Sequence, residues 1–194
     1  MKTQMRHKYI EWRDSLKKED SEALGARIRG VFAASGLGNP PKGRSVMLYA
    51  SFRNEADTWG IIEDLTGKGV KVVLPRTRKA GLELYEYRGP ESLKLSRFGI
   101  LEPDPDLCPA ADPAEIGLVV VPGVVFDRRG GRIGFGAGYY DRFLPTVPAA
   151  LKAGLCYEAQ IAEEVPCDET DVRMDVLLTE KGLFNCQTQS YTEL

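Results

Sequence analysis

The sequence predicts an α/β fold, with a single three-layer domain and a mostly parallel central sheet flanked by helices. Short apolar runs typical of strands alternate along the chain with segments whose apolar residues recur at helical spacing. The run LVVVPG at 118–123 is continuously apolar, which is typical of a strand covered on both faces of a parallel sheet. The 194 residues suffice for one full core, and we predict one domain over residues 1–194.

Four helices are predicted from charge and from apolar spacing. They lie at residues 3–18, from about Ser21 through SEALGARIRGVF, at 57–65, and from about Tyr139 to Leu144. Asp57 is expected near the start of the third helix, because a carboxylate is favoured at the positive end of a helix.

Strands are predicted where short apolar runs are flanked by glycine, proline or polar residues. They lie at 45–52, 70–76, 82–87, 118–123, 153–157 and 176–182. The segment EPDPDLCPAADPA at 102–114 carries four prolines and is predicted to be an extended connection. The polar tail after residue 182 is expected to lie outside the structured part.

Composition excludes several classes of protein. The formal net charge of -2 argues against a protein that coats nucleic acid, which usually carries a basic excess. No apolar run approaches the roughly 20 residues of a membrane helix, and the N-terminus lacks a signal-peptide core. The four cysteines form no C-x-x-C pair and His7 is the single histidine, so a zinc finger is not expected. We expect a cytoplasmic protein with reduced thiols.

The segment GRIGFGAGYYDR at 131–142 carries the strongest functional signal. Gly134, Gly136 and Gly138 alternate with other residues between a buried strand and a short helix. Glycine accepts positive φ and lets an anion approach backbone N–H groups, to which the helix start adds its dipole. The spacing matches neither the Walker A loop nor the G-x-G-x-x-G fingerprint. We predict a phosphate-binding loop, with a glycine-rich surface turn as the alternative.

Asp141 directly follows this loop and has two interpretations. Its hard oxygens suit a Mg²⁺ ion that bridges nucleotide phosphates, whereas an acid in the first turn of a helix needs no function. The preceding Tyr139 and Tyr140 fit either a core position or stacking against a flat ligand.

The glycine segment also carries a family resemblance. VVVPGVVFDRRGGRIGFGAGYYDRFL at 119–144 resembles the signature of the 5-formyltetrahydrofolate cyclo-ligase family. Shorter stretches resemble other parts of that family in the same order, so the resemblance covers nearly the whole chain. They are KTQMR at 2–6, SFRNEADTWGII at 51–62, LPR at 74–76, FGILEP at 98–103 and DVRMDVLLTEKG at 171–182.

The resemblance implies ATP-dependent conversion of 5-formyltetrahydrofolate to 5,10-methenyltetrahydrofolate, with ATP as co-substrate and Mg²⁺ as cofactor. We expect a monomer with no nucleic-acid or membrane partner. The resemblance also implies an ATP site formed by Lys2, Arg6, Arg132, Ile133, Gly134, Phe135, Gly136, Ala137, Gly138, Tyr139 and Tyr140. It implies a folate site formed by Glu55, Phe135, Gly136, Ala137, Gly138 and Tyr139. The implied Mg²⁺ ligands are Asp141 and Asp171.

The sequence departs from the family pattern at a few positions. Met5 replaces a leucine, while Phe135 and Ala137 stand where some relatives carry Arg and Lys, which leaves recognition of the folate tail open. Arg13 lies near the position of a further family arginine.

Structural alternatives exist for each implied residue, and two other functions remain open. Lys2 and Arg6 also suit a solvated helix face, Glu55 a helix start, and Asp171 a polar turn. The architecture equally hosts sugar-phosphate isomerases and acyl-CoA transferases, and a folate- or nucleotide-binding module without turnover is a further alternative.

Overall fold

The computed structural model describes residues 1–97 and 99–192. Phe98, which begins the FGILEP resemblance, lies outside the described residues, as do residues 193–194. The α-helices are α1 (Lys2–Asp14), α2 (Lys18–Ala34), α3 (Trp59–Gly67) and α4 (Tyr139–Phe143). The strands are β1 (Ser45–Met47), β2 (Val72–Thr77), β3 (Leu82–Glu86), β4 (Leu93–Leu95), β5 (Leu101–Pro103), β6 (Ile116–Val121), β7 (Val125–Asp127), β8 (Arg132–Ile133), β9 (Leu151–Leu155), β10 (Ile161–Ala162), β11 (Val176–Thr179), β12 (Gly182–Asn185) and β13 (Ser190–Tyr191).

An eight-stranded sheet forms the centre of the molecule, in the order β13-β12-β11-β9-β6-β1-β2-β3. The five strands from β11 to β2 are parallel, and antiparallel strands complete both edges. The central strand β6 pairs with both neighbours, so that Val119 lies between Met47 and Lys152. The mostly parallel sheet is thereby confirmed. The buried strand predicted at 118–123 is present with the bounds Ile116–Val121.

Helices cover both faces of this sheet. Successive strand residues point to opposite faces, so Val46 belongs to one apolar cluster and Met47 to the other. Ile28 and Phe32 lie four residues apart on α2 and pack with α3 on the first face. Phe143 of α4 and Leu144 pack on the second face. The predicted three-layer α/β class is confirmed.

A smaller sheet, β10-β7-β8, contains the two strands that the chain forms between β6 and residues 134–138. Val125 and Ile133 belong to its apolar cluster, against which Met5 and Tyr9 of α1 pack. Because β8 ends at Ile133, this packing places α1 beside the glycine segment. The sequence did not predict this sheet. Because β7 and β8 intervene, the glycine segment does not directly follow the strand predicted at 118–123.

The predicted element boundaries need several corrections. The first helix ends at Asp14, and the second begins at Lys18. The third begins at Trp59, because the Asp57 carboxylate lies before it and accepts hydrogen bonds from the backbone N–H of Trp59 and Gly60 at 3.3 Å. The strand at 45–52 is regular only over Ser45–Met47.

Two segments predicted to be irregular take part in sheets. The 102–114 connection contains the end of β5, and Ala110 forms an isolated bridge with Tyr85. The prediction that the chain after residue 182 lies outside the structured part was wrong, since β12 and β13 complete one edge of the sheet. Within the described residues, no helix is long and apolar enough to cross a membrane.

Candidate active site

A cavity of about 560 Å³ lies at the carboxyl ends of the parallel strands. Tyr49 and Ala50 follow β1, Thr77 ends β2, and Pro122 follows β6. Ligands of open α/β sheets bind at this edge, and the cavity volume falls in the usual range of small-molecule sites. A second cavity of about 370 Å³ shares Leu82 and Tyr139 with the first.

Each residue that the resemblance implied lines the larger cavity, from Lys2 to Asp171. The structure thus brings together side chains from α1, the 51–58 loop, the glycine segment and the 168–172 turn. The sequence did not mark the remaining wall, which consists of Tyr49, Ala50, Pro75, Thr77, Leu82, Ile100, Leu101, Glu102 and Pro122. Strand ends would have pointed to Tyr49 and Pro122. The LPR and FGILEP resemblances included Pro75 and residues 100–102 but assigned them no role in the site.

The glycine loop, residues 134–138, forms one wall of the cavity. Gly136 has φ +104° and Gly138 φ +66°, which side-chain-bearing residues rarely adopt. The backbone N–H groups of residues 134–138 donate no hydrogen bond to the described part of the protein. Phe135, Gly136 and Ala137 are exposed, so these amides are accessible to an anion. The helix α4 that follows has only five residues, so little dipole is added.

Helix α1 carries two cations into the same cavity. Lys2 and Arg6 are four residues apart and therefore share one helix face. Arg6 Nε donates a hydrogen bond to the backbone oxygen of Gly134 at 2.8 Å. Lys2 Nζ forms ion pairs with both Asp168 and Asp171. Burial opposes the charge on Lys2, but the hydrogen bonds with these two aspartates outweigh it and raise the pKa of Lys2.

Asp141 and Asp171 form an acidic pair beside the loop. The backbone N–H of Val172, next to Asp171, approaches Asp141 Oδ1 to 3.4 Å. Asp141 Oδ1 also accepts from Arg132 Nη2 at 2.8 Å, and Asp171 Oδ2 accepts from Lys2 Nζ. Although burial acts in the opposite direction, the hydrogen bond from Lys2 helps to lower the pKa of Asp171. The lowered pKa keeps the Asp171 carboxylate ionised at neutral pH in its ion pair.

Glu55 lies at another part of the cavity wall, in a loop tied by hydrogen bonds. The hydroxyl of Tyr157 donates to the backbone oxygen of Glu55 at 3.1 Å, and that of Tyr49 donates to Ala56 at 2.7 Å. The backbone N–H of Phe52 donates to Glu55 Oε2 at 3.0 Å. Burial raises the pKa of Glu55, against the lowering effects of the Phe52 hydrogen bond and the Arg13 charge.

Comparison with known proteins identifies the family. The model of the 5-formyltetrahydrofolate cyclo-ligase family matches residues 2–180. This chain belongs to that family. The resemblance drawn from the motifs is confirmed.

Individual members of the cyclo-ligase family match this chain along most of its length. The 5-formyltetrahydrofolate cyclo-ligase of Mycolicibacterium smegmatis is 31% identical over 187 residues, which span 93% of this chain and 94% of the relative. That of Escherichia coli K12 is 29% identical over 174 residues, spanning 86% and 93%. The NMR structure of Aquifex aeolicus 5,10-methenyltetrahydrofolate synthetase has a TM-score of 0.83 at 30% identity, covering 100% of this chain and 96% of that one.

Two buried polar atoms in the cavity wall of this cyclo-ligase family member lack a partner among the described residues. They are the hydroxyl of Tyr140 and Nε of Arg132. A buried donor without a partner costs free energy, and such a cost is commonly offset by a bound ligand. Burial and the nearby Glu55 raise the pKa of Tyr140. The wall is thus prepared for a ligand with polar groups.

Proposed function

We propose that this protein is an ATP-dependent 5-formyltetrahydrofolate cyclo-ligase, which produces 5,10-methenyltetrahydrofolate, ADP and phosphate. One observation carries the proposal: a single cavity joins the partly buried Glu55 carboxylate to a loop of available backbone amides and an acidic pair. These features suit, respectively, a nitrogen-rich ring, a polyphosphate and its cation. Family membership makes a folate and ATP the matching ligands.

The chemistry explains why ATP is needed. The N5 formyl group is an amide whose oxygen is a poor leaving group. Transfer of the γ-phosphoryl group to that oxygen releases ADP and gives an imidate-like phosphate. N10 then attacks the activated carbon, loses its proton, and phosphate leaves as the ring closes. No step uses a protein nucleophile, so positioning and charge neutralisation supply the catalysis.

The phosphates of ATP would lie along the glycine loop. Backbone N–H groups hold anions without a side chain, and the open approach at Gly136 admits a phosphate. Arg6 and Lys2 on α1 place positive charge on the same side. Arg132 adds a buried guanidinium whose Nε has no partner among the described residues. These cations would neutralise the charge that spreads over the transferred group.

The acidic pair fits a magnesium ion. Asp141 and Asp171 are hard oxygen donors, and each uses a single carboxylate oxygen for its ion pair with the described residues. Mg²⁺ is typically held by one or two carboxylates together with substrate phosphates, and no described group of three or more ligands is present. Bound there, Mg²⁺ would neutralise phosphate charge and fix the geometry of transfer.

The folate ring would lie at Glu55. A pterin presents N–H groups on one edge, and an ionised carboxylate accepts two of them in a planar pair. Phe135 and Tyr139 lie in the same wall and present aromatic faces to a flat ring. The formyl group would then point toward the glycine loop, where the phosphoryl donor lies.

The other functions considered from the sequence fit less well. Sugar-phosphate isomerases and acyl-CoA transferases share the architecture but not this family. A binding module without turnover would not need both Asp141 and Asp171 beside the phosphate loop. We further propose a cytoplasmic monomer, since the proposed site needs no residue from a second subunit.

A turnover assay tests the proposal. Purified protein is mixed with 5-formyltetrahydrofolate, ATP and Mg²⁺, and the absorbance of the methenyl product is followed together with ADP release. We expect one ADP for each ring closed, and no product when ATP is omitted. Product formation without ATP, or ATP hydrolysis independent of the folate, would overturn the proposal.

A further inference from the structure

Glu102 is a buried carboxylate in the cavity wall to which the proposed function gives no role. Only 9% of the residue is exposed, and it lines the cavity beside Ile100 and Leu101. Its Oε1 accepts a hydrogen bond from the backbone N–H of Thr77 at 3.1 Å. A carboxylate held among apolar side chains needs donors or a cation, because water no longer solvates it.

A cation lies across from Glu102 but does not pair with it. Lys94 of β4 is the register partner of Glu102 of β5, yet Lys94 Nζ forms its ion pair with Asp104 at 2.6 Å. Oε2 of Glu102 has no hydrogen-bond partner among the described residues, and it is not sealed from solvent. An N–H group of a ligand would remove the cost of this unpaired oxygen. Glu102 therefore presents one acceptor to a ligand in the cavity.

The position of Glu102 along the sheet edge shows which side of a ligand it faces. The groups proposed for the phosphates gather at the end of β6, where Arg132 donates to the backbone oxygen of Pro122 and to Asp141. Glu102 lies at the end of β2, to which its bond with Thr77 joins it. Strand β1 lies between β6 and β2, so these two strand ends are about 10 Å apart. A ring bound between them has one edge toward the phosphates and the opposite edge toward Glu102.

A reduced pterin has a hydrogen-bond donor on that opposite edge. N5, which carries the formyl group, and N8 lie at opposite positions of the reduced ring. When the formyl oxygen is directed toward the phosphoryl donor, N8 faces away from it. N8 bears a hydrogen in a tetrahydropterin, whereas in the fully oxidised ring it is an acceptor without hydrogen. A protein acceptor at this position therefore suits the reduced ring and not the oxidised one.

We propose that Glu102 is a specificity-determining residue that accepts the N8–H of the reduced pterin and so selects 5-formyltetrahydrofolate over oxidised folates. The inference rests on the proposed function and adds to it the oxidation state of the folate that the site accepts. Glu55 and Glu102 would hold two different edges of one ring. A site built to bond an N–H group rejects an analogue that lacks it, because the protein acceptor is left unpaired.

Glu102→Gln tests this role with little change of shape. The amide can keep its oxygen on the Thr77 N–H, and its NH₂ group then replaces the acceptor in the cavity by a donor. We expect 5-formyltetrahydrofolate to bind at least roughly tenfold more weakly, because a hydrogen bond to a charged group is lost. Folic acid, whose N8 is an acceptor, should bind at least as tightly as it does to wild type. Calorimetry measures both affinities, and equal losses for the two folates would mean a merely structural role and would overturn the proposal.

An exposed acid and ATP supply the controls. Asp106→Asn removes a carboxylate whose side chain is 85% exposed and which does not line the cavity, so the affinities for both folates should stay unchanged. Glu102→Gln should bind ATP as tightly as wild type does. A loss of affinity confined to ATP would assign Glu102 to the amino group of adenine and would overturn the proposal.

A change in the ligand tests the same contact without a variant. The 8-deaza analogue of 5-formyltetrahydrofolate carries CH₂ in place of N8–H, and wild type should bind it roughly tenfold more weakly than the parent. Glu102→Gln should bind parent and analogue with similar affinity, because the contact is already lost. If Glu102→Gln does not fold, the wild-type comparison decides alone, and equal affinities for parent and analogue would overturn the proposal.

Turnover separates this inference from the proposed function. A wild-type protein that closes the ring with ATP, and yet binds parent and analogue equally, would keep the proposed function and refute the role of Glu102. A wild-type protein that binds no 5-formyltetrahydrofolate would refute both.

Discussion

Arg6 Nε donates a hydrogen bond to the backbone oxygen of Gly134 at 2.8 Å and so joins the first helix to the glycine loop. The same side chain lies against Gly136, where an added Cβ would meet Arg6 Cζ at 3.5 Å. One guanidinium therefore both holds the loop and places charge beside its free amides. The loop that binds phosphate in our proposal is positioned by the opposite end of the sequence.

The first prediction concerns this guanidinium. Arg6→Met should weaken ATP binding by about tenfold or more, because a hydrogen bond to a charged group contributes about 1.5–3 kcal/mol. Binding of 5-formyltetrahydrofolate should change little, since Glu55 lies in another part of the wall. Calorimetry with each ligand measures both effects. Lys8→Met serves as the control, and an ATP affinity as strong as that of the control would contradict the prediction.

The second prediction concerns the acidic pair. Asp141→Asn should lower turnover by roughly 100-fold or more, because the metal supplies several kcal/mol of charge stabilisation and each ~1.4 kcal/mol is a factor of ten in rate. It should also weaken Mn²⁺ binding measured by electron paramagnetic resonance.

Asp168→Asn is the matched control for the acidic pair. Asp168 also pairs with Lys2, but its side chain is 75% exposed and it does not line the cavity. We expect this variant to keep near-normal turnover and Mn²⁺ affinity. Similar losses of turnover and Mn²⁺ affinity in Asp141→Asn and Asp168→Asn would show that Asp141 has no specific role in metal binding.

The third prediction concerns the backbone of the loop. Gly136→Val should weaken ATP binding by about tenfold or more, because a β-branched residue resists φ +104° at a cost of about 1–3 kcal/mol and crowds the phosphate. Gly43→Val is the control: φ is +83° there, and an added Cβ would meet nothing within 4 Å. Both variants should lose stability, but only the first should lose ATP affinity in calorimetry. Equal ATP affinities of Gly136→Val and Gly43→Val would show that the loop is a turn without a role in ATP binding.

The fourth prediction concerns the C-terminal edge of the sheet. Arg128 lies against the rings of Phe184 and Tyr191 at 4.5 and 5.1 Å, and its Nη2 pairs with Glu158 at 2.6 Å. Tyr191→Ala removes one ring and should lower the free energy of unfolding by about 1–2 kcal/mol. Tyr191→Phe keeps the ring and should lose less. Urea denaturation measures both, and identical midpoints for wild type and Tyr191→Ala would show that this edge adds nothing.

This edge also shows where prediction from the sequence stopped. The central strands were predictable because burial on both faces leaves long apolar runs such as the one around Val119. Strands β12 and β13 are short, and the polar residues after Asn185 resemble a tail. Strand β13 is held by contacts of Tyr191 with Arg128 and Glu158, far away in the sequence. Such pairing leaves no local pattern to read.

The residues of the site also divide into those that the sequence predicted by itself and those that it did not. The glycine loop was predictable because conformational freedom at Gly136 and Gly138 is a property of the residue itself. Lys2 and Glu55 came from the family resemblance alone, because charge on a helix or a loop is usually solvated. Arg13 resembled the other charges of α1, although only 3% of it is exposed in the folded protein. Contacts between distant segments of the chain, which the sequence does not show, give Lys2, Glu55 and Arg13 their positions.

The last prediction separates stability from binding at Tyr140. Its hydroxyl is buried without a partner among the described residues, whereas the Tyr49 hydroxyl, also buried, donates to Ala56 at 2.7 Å. Removing an unpaired buried hydroxyl is nearly neutral or stabilising, whereas removing a paired one costs about 1 kcal/mol. We therefore expect Tyr140→Phe to unfold at a urea concentration at least as high as wild type, and Tyr49→Phe to unfold at a lower one.

The two variants should have the opposite order in kcat/KM, with Tyr140→Phe the less active. If the Tyr140 hydroxyl binds a ligand, Tyr140→Phe should lower kcat/KM by roughly fivefold to tenfold, the cost of about 1–1.4 kcal/mol of lost hydrogen bonding. Tyr49→Phe should retain most of its kcat/KM, because its hydroxyl binds the protein and not the ligand. A Tyr140→Phe variant that is destabilised but fully active would show that the hydroxyl serves the fold, and that the polar wall around it was not built for a ligand.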